Sequence, residues 1–291
     1  MKTIDTDIAI IGGGASGLVA GIAASRYGCG NITILEKLPR VGKKILSTGN
    51  GRCNLTNSSI SADNYDGDTE LLSYISGDTE SSEEFFSSIG LICKADDTGR
   101  VYPFSNAATS VLDALRFTAD YAGINTVCDC RATDIIKTKR GFLLTSGDAK
   151  ISAKRVIIAA GGKAAPSLGT TGDGYELCKK LGHSVTKLYP ALAPIRTDIG
   201  LVKSVKGLRV CADVSLLADG KVIDRQSGEV QFTDGALSGI CIFDLSAKAA
   251  KLVNKGEISL DTAPPLTKEE LYSIIKSSAE IRATLPCEEL L

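Results

Sequence analysis

The stretch AIIGGGASGLVAGIAA, residues 9–24, constrains the fold of this chain more than any other part of its sequence. The apolar run Ile8–Ile11 has the composition of a strand buried on both faces, and the next six residues, Gly12–Gly17, spell GxGxxG. In such a turn the glycines allow a tight bend, close approach to a pyrophosphate, and packing of a helix on the strand. We therefore predict a phosphate-binding turn that leads into a helix from about Ala15 to Tyr27.

Two other classes of protein are disfavoured by composition. The same stretch is nearly long enough to span a bilayer, but it is rich in glycine and alanine and lacks aromatic or basic flanks, so we expect no membrane partner. The formal net charge of −1 on 291 residues gives no basic footprint, so we expect no nucleic-acid partner. The sequence makes no prediction of the oligomeric state.

The context of the turn strengthens its interpretation. A second apolar strand, Asn31–Leu35, follows the helix and ends at Glu36, roughly 20 residues beyond the turn, where an acid can bind the ribose hydroxyls of a dinucleotide. The alternative is a surface Glu beside an ordinary turn. We predict an α/β fold with a Rossmann-like FAD/NAD(P)-binding parallel sheet, a second, smaller β-rich domain and a C-terminal helix. If Glu36 only binds ribose, Glu36→Ala should weaken FAD binding and leave folding largely unaffected.

The next segment distinguishes a prediction of FAD binding from one of NAD binding. The sequence VGKKILSTGNGRCNLTN, residues 41–57, shows little periodicity and concentrates glycines and cations; we call residues 42–54 the basic loop. Its glycines allow the backbone to approach a flat ring system, and its cations can offset the charge of a diphosphate or of a reduced flavin. A flexible basic surface loop is the alternative, but the pattern favours FAD.

These motifs resemble the BaiN-like family of FAD-binding oxidoreductases, also called the aminoacetone oxidase family. Further blocks of resemblance are GRVYPFSNAATSVLDAL from residue 99, RVIIAAGGKAAPSLGTTGDGYELCKKLGH from 155, LYPALAPI from 188 and GEVQFTDGALSG from 228. The resemblance implies a flavin-dependent oxidoreductase acting on a small-molecule substrate, with reduced nicotinamide, NAD(P)H, as a candidate electron donor.

The resemblance also implies where the cofactor binds. The glycine turn meets the diphosphate, Glu36 and Lys37 meet the ribose, the basic loop lies along the diphosphate and ring, and the backbone near Arg131 and Ala132 meets the adenine. Ala160 stands where the family has threonine, after a predicted buried strand, Val156–Ile158. The full set of expected cofactor-binding residues is Gly12, Gly13, Gly14, Ala15, Ser16, Gly17, Glu36, Lys37, Gly42, Lys43, Lys44, Thr48, Gly49, Asn50, Gly51, Arg52, Cys53, Asn54, Arg131, Ala132, Ala160, Gly161 and Gly162.

No residue stands out as catalytic, and the spacing of the nine cysteines and single histidine supports no metal site. The cysteines indicate reduced thiols and a cytoplasmic location. Each weaker candidate has an ordinary alternative: Cys53 as a redox thiol or a packing residue, His183 as a proton carrier or a surface residue, Asp173 and Thr171 as caps of a helix from Gly174, and Tyr189 and Arg100–Pro103 as substrate-facing or core residues.

The organisation predicted is a nucleotide-binding domain over residues 1–188 and a partial β-rich domain over 189–291, which ends in a helix over Thr267–Ser278. The resemblance implies a late glycine-rich segment that closes the flavin site, and no such segment is recognisable after Gly239. We therefore expect the chain to stop inside the second domain of the family. A nucleotide-binding fragment with impaired catalysis and a single-Rossmann NAD-dependent dehydrogenase remain as alternatives.

Overall fold

The structure is a computed structural model that describes residues 3–61, 64–65, 80–252 and 255–281. It divides the chain into two compact units, Met1–Val185 and Thr186–Leu291. In the described ranges, no helix combines the length and the apolar character needed to cross a membrane.

The first unit contains nine strands and four helices among its described elements. The strands are β1 (Thr3–Ile11), β2 (Ile32–Leu35), β3 (Thr56–Asn57), β4 (Cys93–Ala95), β5 (Arg100–Pro103), β6 (Asn125–Val127), β7 (Asp134–Thr138), β8 (Gly141–Ser146) and β9 (Ala149–Ile158). The helices are α1 (Ala15–Arg26), α2 (Ser82–Ser88), α3 (Ala108–Tyr121) and α4 (Asp173–Lys180), with 3₁₀ segments at Ile45–Gly51 and Pro166–Leu168. The predicted strand–turn–helix–strand order is confirmed.

The main sheet has the strand order β6-β2-β1-β9-β8-β7, and its first four strands are parallel. Strands β7 and β8 add an antiparallel hairpin at one edge. Strand β1 is buried on both faces, as predicted, because Ile8 and Ile10 pack with α1 and α3 while Ala9 and Ile11 pack on the side of α4. The Rossmann-like parallel sheet is therefore confirmed, and the first strand places its carboxyl end beside those of β2 and β9.

Strand β9 contains the predicted segment Val156–Ile158, but these three residues are half-buried rather than buried. The strand ends here, and the residues that follow it line a cavity. A separate three-stranded antiparallel sheet, β3-β5-β4, follows the basic loop.

The second unit is built around a five-stranded antiparallel sheet in the order β10-β13-β12-β11-β14. Its elements are β10 (Ile195–Arg196), α5 (Ile199–Val202), β11 (Arg209–Ala218), β12 (Lys221–Thr233), β13 (Ala236–Ser238), α6 (Ile240–Lys251), β14 (Gly256–Asp261) and α7 (Lys268–Ile281). Helix α6 buries Ile242 and Leu245 against Val214 and Leu216 of β11. The predicted β-rich part is confirmed as a fold, and the C-terminal helix begins one residue late because Thr267 caps it, accepting a hydrogen bond from the Glu270 N–H.

Candidate nucleotide-binding site

The glycine turn brings the end of β1 against the end of β9. Gly12 has a φ of 110°, a conformation that side chains rarely tolerate, and a Cβ there would lie 2.9 Å from the Cα of Ala160. Its N–H donates to the carbonyl oxygen of Leu35 at 2.8 Å, which ties the turn to β2 as well. Glycine at this position is therefore required by both the backbone conformation and the neighbouring strand.

Helix α1 begins at this turn with free backbone donors. Its N-cap is Gly14, which has no side chain to cap the helix, and the first helical bond runs from Leu18 N–H to Gly14 carbonyl at 3.0 Å. The N–H groups of Ala15 and Ser16 precede that bond and have no acceptor within the helix. A Cβ at Gly14 would meet nothing within 4 Å. This open, donor-rich helix end suits an anion.

A cavity of about 560 Å³ opens in front of this helix end, within the first unit. Its wall includes most of the predicted cofactor-binding residues, drawn from the turn, β2, the basic loop, the segment after β6 and the segment after β9. The predicted residues on the wall are Gly12, Gly14, Ala15, Ser16, Glu36, Lys37, Gly42, Lys43, Lys44, Thr48, Cys53, Asn54, Arg131, Ala132, Ala160 and Gly161.

The structure does not bring seven other predicted residues to this wall. These are Gly13, Gly17, Gly49, Asn50, Gly51, Arg52 and Gly162. Gly13 and Gly17 lie behind the turn, where a Cβ on Gly13 would lie 2.5 Å from Val41 and one on Gly17 would collide with the carbonyl of Gly12. They shape the turn rather than line the cavity.

The cation of Arg52 is turned toward Tyr102. Its guanidinium carbon lies 4.3 Å from the centre of the Tyr102 ring, and Nη2 donates to the phenol oxygen at 3.2 Å. The preceding residues Gly49 and Asn50 are left-handed, with φ of 55° and 53°. This part of the basic loop is therefore folded back onto β5, while residues 42–45, 48 and 53–54 face the cavity.

Glu36 connects the cavity wall to the backbone around it. The side chain is 8% exposed, and its two oxygens accept 2.8 Å hydrogen bonds from the N–H groups of Gly13 and Leu38. A carboxylate has roughly four acceptor positions, so capacity remains for ribose hydroxyls. The expectation that Glu36→Ala would leave folding unaffected is revised, because that change would orphan two backbone donors.

Asp173 lies at the first position of α4 and does not cap it, contrary to the capping interpretation; the N-cap is Gly172. Its carboxylate instead accepts hydrogen bonds from Lys37 at 2.8 Å, Arg131 at 2.9 Å and Thr171 at 3.0 Å. Partial burial raises the pKa of Asp173, but these three donors outweigh it and lower the pKa to about 2. The residue is thus ionised at neutral pH and holds two predicted cofactor residues.

A loop over residues 161–172 forms another part of the wall, through Gly161, Leu168, Gly169 and Thr170. Lys43 of the basic loop reaches it and donates to the carbonyl oxygen of Ser167 at 3.0 Å. Sequence reasoning missed these contacts because they join segments more than 120 residues apart. It also missed Leu38 and Arg40 on the wall, although both lie just after the recognised Glu36.

The weaker candidates lie in different places. Cys53 is buried on the cavity wall with a φ of 60°, whereas Tyr102 of the Arg100–Pro103 strand packs under Arg52. His183 follows α4 as an exposed residue and is not among the described residues that line the cavity. Tyr189 belongs to the second unit, where Lys187 lies 5.1 Å from its ring centre. Of the weaker candidates, Cys53 and Asp173 therefore share the wall with the predicted cofactor residues.

Comparison with known proteins agrees with this geometry. Residues 6–269 match the family described as HI0933-like protein Rossmann domain. The chain is 35% identical to a 3-dehydro-bile acid delta(4,6)-reductase of Clostridium scindens, over 98% of this chain and 71% of that protein. It is 23% identical to a ribosomal RNA dihydrouridine synthase of Escherichia coli, over 83% of this chain and 60% of that protein. A solved flavocytochrome c3 fumarate reductase in an open conformation is 20% identical, with a TM-score of 0.49 over 71% of this chain and 47% of that one.

Proposed function

Since this chain belongs to the HI0933-like family of Rossmann-domain proteins, we propose that it binds FAD non-covalently and transfers a hydride or an electron pair to or from a small organic substrate. The family match and the 35% identical reductase support the broader statement that the chain is a flavin-dependent oxidoreductase. The observation that carries the proposal is the uncapped start of α1, which opens with Glu36 into one cavity of about 560 Å³.

The residues on the wall fit the parts of FAD. The N–H groups of Ala15 and Ser16 would bind the diphosphate, helped by the cations Lys43 and Lys44, and Glu36 would accept hydrogen bonds from the adenosine ribose. The basic loop and the segment after β9 would hold the flavin ring. When bound, FAD supplies the electron chemistry, while this chain supplies orientation and charge.

The substrate class proposed is a small organic molecule. The reductase named for the 35% identical relative acts on a bile acid, which is one example of this class. The net charge of −1 favours a small molecule over RNA, the substrate named for the more distant relative. Reduced nicotinamide is the proposed electron donor.

We keep two further sequence-based interpretations as proposals. One is the division into a nucleotide-binding domain over residues 1–188 and a β-rich domain over 189–291. The other is a cytoplasmic location, which the eight free cysteines among the described residues favour because a reducing compartment keeps thiols unpaired.

The test is a titration of the purified chain with FAD and with NADH, read by calorimetry and by the absorbance of bound flavin. We expect tighter binding of FAD; tighter binding of NADH would contradict the proposal. Ser16→Asp should weaken FAD binding about tenfold or more, because it places a negative charge beside the diphosphate while an acid in the first helical turn supports the helix. Thr109→Asp is the matched control in the first turn of α3, away from the cavity wall, and should bind FAD as the unchanged protein does.

A further inference from the structure

The cations on the cavity wall are of two kinds. Lys37 and Arg131 both form ion pairs with the single carboxylate of Asp173, at 2.8 and 2.9 Å. Arg40, Lys43 and Lys44 form no ion pair with another described residue, and Lys43 donates to a neutral carbonyl instead. Asp173 therefore pairs with both Lys37 and Arg131 and offsets one of their two positive charges, whereas the other three cations keep theirs.

The two paired cations, Lys37 and Arg131, lie next to the proposed ribose position. Lys37 directly follows Glu36 in sequence, and both residues line the cavity with Arg131 and Asp173. The Asp173 side chain is 16% exposed and that of Lys37 is 20% exposed, so this pair is largely shielded from water. Lys37 also donates to the hydroxyl of Thr171 at 2.7 Å, so two acceptors fix the ammonium.

A 2′-phosphate on the ribose would need such cations to be free. Nucleotide sites that accept a 2′-phosphate place an arginine there, whereas an acid at the end of the second strand binds free hydroxyls. Here the arginine and the lysine are already paired, and the Glu36 carboxylate adds a second negative charge. A phosphate dianion would face two carboxylates and no unpaired cation of this cluster.

We propose that Asp173 is a positioning residue which, through Lys37 and Arg131, restricts the cavity to adenosine nucleotides with a free 2′-hydroxyl. This inference rests on the proposed binding of a nucleotide with its ribose at Glu36. It adds that a nucleotide carrying a 2′-phosphate, such as NADPH, binds this cavity more weakly than its unphosphorylated counterpart.

The test compares ADP with 2′-phospho-ADP, which differ only at the 2′ position, by calorimetry on the full chain. We expect the unchanged protein to bind ADP at least about tenfold more tightly. Asp173→Asn keeps the size of the side chain and removes its charge, so it should release Lys37 and Arg131 from their ion pairs. The preference for ADP over 2′-phospho-ADP should then fall about tenfold, because 2′-phospho-ADP binds more tightly.

Asp134→Asn is the matched control, because Asp134 pairs with Lys180 at 2.6 Å in the same unit and does not line the cavity. Asp134→Asn should keep the preference of the unchanged protein for ADP over 2′-phospho-ADP. If Asp173 had a purely structural role, its replacement would weaken the binding of ADP and of 2′-phospho-ADP alike. An unchanged preference in Asp173→Asn would therefore overturn this inference and leave the proposed function standing. If ADP failed to bind the folded, unchanged protein, the nucleotide site and the inference would both be overturned.

Discussion

Glu36 joins ligand binding to folding at the scale of single residues. Glu36→Ala removes both acceptors for the Gly13 and Leu38 N–H groups, so we expect a loss of about 2–4 kcal/mol in the free energy of unfolding, together with weaker FAD binding. Glu36→Gln keeps one acceptor oxygen and should lose less stability. Urea unfolding of the three proteins measures this order. Equal stability of the alanine variant and the unchanged protein would mean that the two hydrogen bonds contribute nothing to stability.

The ionisation of Asp173 should make the stability of the protein depend on pH. Its pKa is lowered to about 2 in the folded chain, from the ordinary value of 3.8 for an aspartate, so its ionised form stabilises the fold above pH 4. This contribution, on the order of 2 kcal/mol, is lost as the pH falls from 4 toward 2. Urea unfolding between pH 4 and pH 2 should show that the free energy of unfolding falls more steeply with pH in the unchanged protein than in Asp173→Asn. Parallel curves would contradict the assignment.

The sequence specifies the roles of residues that are close neighbours along the chain. Gly12 and Glu36 were predicted because a phosphate-binding turn needs a glycine and an acid at a fixed spacing. Asp173 could not be predicted, since its partner Lys37 lies 136 positions away and α4 begins with an acid that also suits a cap. The contact of Arg52 with Tyr102 could not be predicted either, because nothing local in the sequence indicates that the two side chains stack.

At the scale of elements, the bend that begins the basic loop depends on Gly42. Its φ is 72°, and a Cβ would collide with Leu112 of α3, while its N–H donates to the Gly13 carbonyl at 2.8 Å. Gly42→Ala should therefore lose about 2–4 kcal/mol of stability from backbone strain and overpacking together. Gly147 has a φ of 54° with nothing within 4 Å of a Cβ, so Gly147→Ala should lose only the strain, about 1 kcal/mol.

Thermal and urea unfolding of these two variants test the contribution of Leu112. If Gly42→Ala and Gly147→Ala lost the same free energy of unfolding, the collision with Leu112 would be relieved at no cost. Because Leu112 is itself buried, the reference is Leu112→Ala alone: Gly42→Ala should cost less free energy of unfolding in that background than in the unchanged protein, since the colliding methyl groups are gone.

Elements were predictable where a single pattern dominates. Helix α1 and the carboxyl-terminal part of strand β1, Ile8–Ile11, follow from uninterrupted apolar and small residues, and α7 follows from its apolar spacing. The three-stranded sheet β3-β5-β4 was not predicted, because its strands are two to four residues long and carry no period. Strand β12 continues through polar residues as far as Gln231 by pairing with β11, and it reaches Thr233 by pairing with β13.

At the scale of the whole molecule, every described residue of the cavity wall belongs to the first unit. FAD should therefore slow amide hydrogen exchange in the glycine turn, the basic loop and the 161–172 loop. Exchange in β11 and β12 of the second unit should remain as it is without FAD. Hydrogen exchange measured with and without FAD by mass spectrometry tests this expectation, and protection of β11 alone would place the ligand elsewhere.

The paired hydrogen bonds of Glu36 also limit how sequences of this fold can diverge. A change at Glu36 alters nucleotide recognition and the turn at once, so most such changes reduce the amount of folded protein before any new preference can be selected. Among the described residues, the Asp173 carboxylate accepts hydrogen bonds from the side chains of Lys37, Arg131 and Thr171, and its loss leaves the Gly13 and Leu38 donors satisfied. Evolutionary shifts in nucleotide preference should therefore begin at position 173, and replacements at position 36 should follow only in backgrounds already stabilised elsewhere.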